Sequence, residues 1–334
     1  MVKLMKKISI AIMMFALMAL LVACGGGADK EKESDKSSDK STPTEENNET
    51  EEAESDVIEI THELAKEPVE VKKNPGKVVV FDFGMLDTFD ELGIEVAGVP
   101  QKNIPSYLSK YEDEKYENVG GLKEPDLETI HAMQPDVIFI SGRQSDMYDE
   151  LSEIAPTVYV GLDTSNYMES FKGNMEMVAE IFGKEDEMTA ELAEIDEQIT
   201  AIKEKTDASD EKALIILGNE GKVSAYGSSS RFGIIHDVFG FKAADDNIET
   251  STHGQSITFE YILETNPDVL FVIDRDAAIG GESSAKDSVE NDLVKKTTAY
   301  ENDAIYYLDP NYWYLSGGGL LSIKEMIKEI EDAL

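Results

Sequence analysis

The 334-residue chain holds a single cysteine, Cys24. An intramolecular disulfide is therefore excluded, and the core has to hold without a covalent staple. The chain also lacks a Gly-x-Ser-x-Gly elbow, a His-Glu-x-x-His pair and a Walker loop. Nucleophilic, zinc-protease and nucleotide chemistry are left without their usual residues. Positive charge is scarce. Against 69 acidic residues stand 30 basic ones, for a formal net charge of −39. That balance argues against nucleic acid and against direct adsorption to anionic lipid. Arginine is scarcest of all: the basic residues are lysines except for Arg143, Arg231 and Arg275.

What is present begins with a stretch that occurs twice. Residues 127–140 read LETIHAMQPDVIFI and residues 259–272 read FEYILETNPDVLFV. Without a gap, Glu128 falls over Glu260, Pro135 over Pro267 and Asp136 over Asp268, and the register carries Arg143 onto Arg275. Each copy reads as a short amphipathic helix, a Pro-Asp break and a buried strand. Helix then strand is half of a βαβ unit, so the expectation is an α/β fold of two lobes with parallel sheets. Ligands of such sheets bind beyond the carboxyl ends of the strands, where both arginines fall. Two lobes that each bring an arginine to one gap suggest a cleft binder.

In chain order, Lys3, Lys6 and Lys7 precede an apolar run from Ile8 to Leu20 and then Leu21-Val22-Ala23-Cys24. The run is short for a membrane span and reads as a signal peptide, residues 1–23. The residues before Cys24 resemble a bacterial lipobox, which implies lipidation of that cysteine. Residues 24–56 are an acidic tether almost without apolar side chains, expected to stay disordered. Residues 57–163 form the expected first lobe, 164–207 a helical connection and 208–334 the second lobe. Strands are expected at Val57–Ile60, Lys77–Phe81, 94–99, 157–160, 213–217, 222–226 and 304–308. A helix is expected to begin at Asp87. In the connection, Phe171, Met175, Val178, Ile181 and Phe182 keep helical spacing. Gly183 ends that piece, and Met188, Leu192, Ile195, Ile199 and Ile202 continue it. A helical connection is stiff, so small closure motions are expected. Residues 250–254 and 276–288 read as loops, and His236 as a core or capping histidine. Gly317–Gly319 is open to two readings: an amide nest, or a flexible entry to a C-terminal helix.

Arginine's planar fork suits anionic oxygen ligands. Arg231, in the loop YGSSSRFG, joins the two repeat arginines as a candidate; three structural salt bridges are the plainer alternative. His253 stands in a loop rather than on an apolar face, and Tyr312, Trp313 and Tyr314 follow the last strand. Imidazole and phenolate both ligate ferric iron. One of each cannot fill an octahedral sphere, but they complete one that a chelator leaves open. For His253 a loop hydrogen bond is the alternative.

The ordered stretches SSSRFGIIHDVFGF, STHGQSITFEYI, NPDVLFVIDR and NYWYLSGGGL resemble the class III solute-binding proteins of ferric-siderophore ABC importers. FDFGMLDT, VGGLKEPD and ISGRQ extend the resemblance over about residues 57–334. Among these, the catecholate and petrobactin binding lipoproteins of Gram-positive bacteria are most similar. The resemblance implies two Rossmann-like lobes joined by a long helix, with a ferric siderophore in the cleft and no intrinsic cofactor. It implies Arg143, Arg231 and Arg275 as ligand-binding residues, with Trp313 beside them. His253 and Tyr314 are then the iron ligands when the siderophore has only two bidentate arms. Glu128 and Glu260 would dock on a permease dimer with its ATPase, and lipid on Cys24 would hold the protein to the outer face of the cell membrane. The second lobe, with Arg231, His253 and Tyr314, is expected to set chelate specificity. The rival ligands are haem and cobalamin; the rival classes are a siderophore-processing enzyme and a structural surface lipoprotein.

Overall fold

The protein is represented by a computed structural model that describes residues 56–281 and 284–334. The signal peptide, Cys24 and nearly all of the tether lie outside the described residues. Within the described residues no helix is long and apolar enough to cross a membrane.

The described chain opens with an antiparallel ribbon of β1 (Val57–Ile60) and β2 (Val69–Lys72). The first lobe follows: β3 (Val78–Val80), α1 (Phe83–Glu91), β4 (Gly98–Val99), β5 (Glu117–Asn118), a small ribbon of β6 (Gly120–Gly121) and β7 (Glu124–Pro125), α2 (Leu127–Met133), β8 (Val137–Ile140), α3 (Tyr148–Ser152) and β9 (Thr157–Tyr159). Its sheet runs β5-β4-β3-β8-β9, all parallel. The helix expected from Asp87 starts four residues earlier, because the Asp82 side chain caps it by accepting the Met85 amide. The strand expected over 94–99 is confined to Gly98–Val99.

Two helices, α4 (Tyr167–Phe182) and α5 (Glu185–Ala208), connect the lobes in sequence. Gly183 separates them in the left-handed region at φ 61°, a conformation that costs any other L-residue more than glycine. All ten apolar residues named for this connection are buried.

The second lobe comprises β10 (Lys212–Asn219), β11 (Lys222–Tyr226), α6 (Ile234–Asp237), β12 (Lys242–Ala243), β13 (Gln255–Ile257), α7 (Phe259–Thr265), β14 (Val269–Asp274), α8 (Arg275–Ile279), α9 (Ala285–Val289), α10 (Thr298–Glu301) and β15 (Ile305–Leu308). A π-helical turn, Asn311–Ser316, leads to α11 (Leu320–Glu331). The sheet is parallel from β12 through β10 and β14 to β15, but β11 and β13 join antiparallel. The reason is local: Glu220 and Gly221 both have positive φ, making a two-residue hairpin turn that forces β11 back along β10. Residues 250–254 form the expected loop, with β13 following it, whereas the expected loop after Arg275 folds into α8 and α9. Asp274 organises the latter by accepting the amides of Ala277 and Ala285.

Alternation along the strands shows how the lobes hold together. In β10, Ala213, Ile215 and Leu217 join one large core, while Leu214 and Ile216 face a second core private to that lobe. In β8, Val137 and Phe139 join the large core, while Ile138 and Ile140 face the first lobe's own. The large core thus takes one face of each sheet together with residues of α1, α4, α5 and α11. The segment expected to be second lobe throughout is not: α11 is held by α1, since the amides of Leu320, Leu321 and Ser322 bond to Thr88 and Asp87.

Candidate functional site

The repeat is reproduced in structural detail. Asp126 caps α2 by accepting the Thr129 amide, and Thr258 caps α7 by accepting the Tyr261 amide. Both helices end in a left-handed residue, Gln134 and Asn266. Asp136 then accepts the Lys77 amide at 2.9 Å and Asp268 accepts the Lys212 amide at 2.9 Å. Each aspartate fixes the start of the central strand in its own sheet. Glu128 and Glu260 lie exposed in the first turns of the paired helices.

Arg143 lies three residues beyond the end of β8, and Arg275 directly follows β14. With Arg231 they converge on one residue. The Tyr314 carbonyl accepts from Arg143 Nη2 at 2.9 Å and from Arg231 Nη2 at 2.6 Å. The Tyr314 hydroxyl accepts from Arg275 Nε at 3.0 Å. The Arg231 guanidinium also lies over the Tyr314 ring, 4.2 Å from its centre, where charge meets the ring face. Asn219, at the end of β10, fixes the Arg275 fork through Nη1 at 2.6 Å. Sequence reasoning missed Asn219, although a polar residue ending a central strand was a readable signal. None of the three arginines therefore forms a plain salt bridge with a carboxylate among the described residues.

Two cationic groups beside one phenol, Arg231 and Arg275, change its chemistry. Burial alone would push the Tyr314 hydroxyl up. The charge of Arg231 and the hydrogen bond from Arg275 outweigh burial and hold it below the usual tyrosine range. The other tyrosines that shift, among them Tyr107, Tyr226 and Tyr307, move up through burial. Burial and the nearby charge of Arg143 draw Arg231 down in turn. In an alkaline titration followed by near-ultraviolet absorbance, Tyr314 is expected to ionise ahead of an ordinary tyrosine. That early phase should vanish in Tyr314→Phe; superimposable curves would remove the claim.

A cavity of about 320 Å³ opens beside this cluster, walled by Arg231, Arg275, Tyr314, His253, Asn219 and Lys222 among others. His253 is exposed and shares that wall with Tyr314. Arg143 reaches Tyr314 from the first lobe but does not line the cavity. Trp313 is not brought to it either. It is 3 % exposed, sits in the large core and donates Nε1–H to Glu329 at 2.6 Å. The π-turn places neighbouring residues on different sides, so Trp313 turns inward where Tyr314 turns to the arginines. His236 is structural, its Nδ1 bonded to the Phe241 carbonyl at 2.9 Å.

A larger cavity, about 730 Å³, lies between the β1 side and α4. Its wall carries Glu59, Glu63, Asp163 and Glu180 and no arginine, so it would repel an anion that the smaller cavity attracts. Among the described residues no group of three or more His, Cys, Asp or Glu is assembled to hold a metal. The imidazole and phenol at the arginine cavity suit a metal that arrives with most of its ligands already in place.

A model of the family described as periplasmic binding protein matches residues 78–312. The chain belongs to the periplasmic binding proteins. This binding protein is 48 % identical over 332 residues to the petrobactin-binding protein YclQ of Bacillus subtilis (strain 168), covering 99 % of each chain. It superposes on the crystal structure of YclQ with a TM-score of 0.81 at 53 % identity, covering 84 % of this chain and 99 % of that one. The ferric-anguibactin-binding protein FatB of Vibrio anguillarum is 32 % identical over 279 residues, 82 % of this chain and 86 % of FatB. The catecholate-siderophore binding protein VctP of Vibrio cholerae superposes with a TM-score of 0.79 at 36 % identity, covering 83 % and 99 %. The class III fold with two α/β lobes is thereby shown, and the family is one of binding proteins rather than enzymes.

Proposed function

We propose that this binding protein captures an anionic ferric siderophore of catecholate type, petrobactin being the favoured ligand, and delivers it to an ABC-importer permease for iron uptake. The observation that carries the reading is the convergence of all three arginines of the chain on Tyr314, beside a cavity that His253 also lines. Names of relatives on three sides, petrobactin, anguibactin and catecholate binders, agree with that ligand class.

The chemistry follows from the groups present. Each guanidinium has five N–H donors, so the bonds to Tyr314 leave others for chelator oxygens. In a partly desolvated cleft these charges offset a complex that the protein's net charge of −39 would otherwise repel. The Tyr314 phenol, already held toward its ionised form, is suited to bind ferric iron, and His253 offers a second donor. A siderophore with two bidentate arms leaves both positions open; a hexadentate one leaves neither. Glu128 and Glu260, equivalent and exposed, would meet one permease subunit each, with the ATPase beyond. Lipid on Cys24 would keep the protein at the outer face of the membrane.

The test is an equilibrium titration with ferric petrobactin, other ferric siderophores and haem, read through Trp313, the only tryptophan. Although buried, Trp313 adjoins Tyr314, near enough for an iron–catecholate chromophore to quench it. Quenching at micromolar ferric catecholate is expected. Its absence, or a haem Soret band in place of it, would sink the reading.

A further inference from the structure

The turn that carries Tyr314 enters from β15 of the second lobe, yet it is fastened to the first. At its start, Asn311 Oδ1 accepts the Ser106 amide at 3.1 Å, and the ring of Tyr107 packs 4.8 Å from that of Tyr312. At its end, Tyr107 and Ser316 share a hydroxyl contact of 2.6 Å, and the Tyr107 hydroxyl donates to Asp87 Oδ2 at 3.0 Å. Asp87 is 0 % exposed. Its other contacts are the first amides of α11: Leu321 to Oδ1 at 3.2 Å and Ser322 to Oδ2 at 3.1 Å. A buried carboxylate on a helix N-terminus is favoured by the amides and by the helix dipole. Here one carboxylate reaches the start of α11 directly and the end of the turn through Tyr107.

We infer that Asp87 is a positioning residue for Tyr314: through Tyr107, Ser316 and α11 it holds the turn on the first lobe, and so sets ferric-siderophore affinity without touching the ligand. The inference rests on the siderophore reading for its functional half only. Tyr314 is then presented from the first lobe to Arg231 and Arg275 of the second, and a ligand bound to Tyr314 and His253 ties the lobes together. The anchoring adds first-lobe residues to the second-lobe set expected to govern chelate specificity. Tyr107, Tyr111, Tyr167 and Tyr312 are pushed up first by burial, and the charge of Asp87 adds to each. Burial raises Asp87 itself to about 7 against the pull of Ser322, Tyr107 and Leu321. Since the folded value lies above the ordinary aspartate value of 3.8, this group's contribution to stability declines as pH rises from about 4 to about 7.

The experiment uses protein with ring-labelled tyrosine, the Tyr314 signal being assigned by its loss in Tyr314→Phe. Tyr107→Phe and Asp87→Asn are compared with wild type by the position of that signal without ligand, and by affinity for ferric petrobactin. Tyr107→Phe keeps the α11 contacts, so it should fold. It is expected to move the Tyr314 signal and weaken the complex roughly 3- to 10-fold, the value of one hydrogen bond. Asp87→Asn should do the same and flatten the pH dependence of stability between about 4 and 7. Folded variants with an unmoved Tyr314 signal would overturn the inference, including variants that lose stability alone. Should wild type bind no ferric catecholate, the siderophore reading fails, and the ligand-free tyrosine signal still decides the positioning role.

Discussion

Replacing Arg231 by alanine is expected to weaken ferric-catecholate binding by about 2–4 kcal/mol, roughly 30- to 1,000-fold, the range for removing one partner of a desolvated charge pair. The size follows from where Arg231 sits. It lines the cavity, lies 4.2 Å above the Tyr314 ring and binds the Tyr314 carbonyl at 2.6 Å. Its loss removes a charge that faces the ligand, and it also removes the largest influence lowering the Tyr314 phenol. The iron donor and the anion clamp are therefore damaged together. Arg143→Ala should cost less, because Arg143 bonds the same carbonyl from outside the cavity wall. Arg231→Lys should recover only part of the affinity, since an ammonium group lacks the planar fork and stacks poorly on the ring. The measurement is an equilibrium fluorescence titration of variants that match wild type in circular dichroism. A folded Arg231→Ala protein with unchanged affinity would remove that arginine from the site.

The parts of this site that could be read from sequence share a property: each rests on a local or repeated pattern. The paired helix and strand were visible because both copies keep the cap, the Pro-Asp break and the apolar strand, and those residues make the same bonds twice. The arginines were visible through scarcity. What stayed hidden depends on distant partners. Asp87 reads as one more acid in an acidic helix until α11, more than 230 residues later, places its amides on it. Trp313 reads as a cleft aromatic because it lies between two tyrosines, but a π-turn does not keep neighbours on one face. The antiparallel edge of the second sheet was written in Glu220-Gly221, a hairpin signal weaker than Asn-Gly. The order after Arg275 was written in Asp274, a readable helix cap.

Gly319→Ala is expected to destabilise the protein by about 3–5 kcal/mol, the cost of breaking up a buried charged contact. At roughly 2–4 °C per kcal/mol this lowers the melting temperature by roughly 6–20 °C. The triple glycine had two readings, nest or flexible entry, and the structure gives its members separate tasks. Gly317 and Gly318 occupy the left-handed side, at φ 39° and 97°. Gly319 does not need glycine for its dihedrals, since its φ is −102°. It needs glycine for space: a Cβ there would overlap the Asp87 carboxylate and the Gly84 carbonyl. From the other side, a Cβ on Gly84 would meet the Gly319 amide nitrogen at 2.9 Å and the Gly317 carbonyl at 3.1 Å. Backbone therefore touches backbone where α1 meets the start of α11, and neither can move aside as a side chain could. A methyl group on Gly319 must push α11 off the carboxylate, leaving Asp87 buried with fewer donors. Gly93→Ala is the control, with φ 65° and nothing within 4 Å of its added Cβ, so it should cost only about 1 kcal/mol. Thermal melts followed by circular dichroism separate the two costs. Gly319→Ala should also lose ferric-siderophore affinity, because the same contact holds the turn that presents Tyr314, whereas Gly93→Ala should bind as wild type does. A Gly319→Ala protein that melts with Gly93→Ala and binds normally would mean that α11 is held by its apolar face alone.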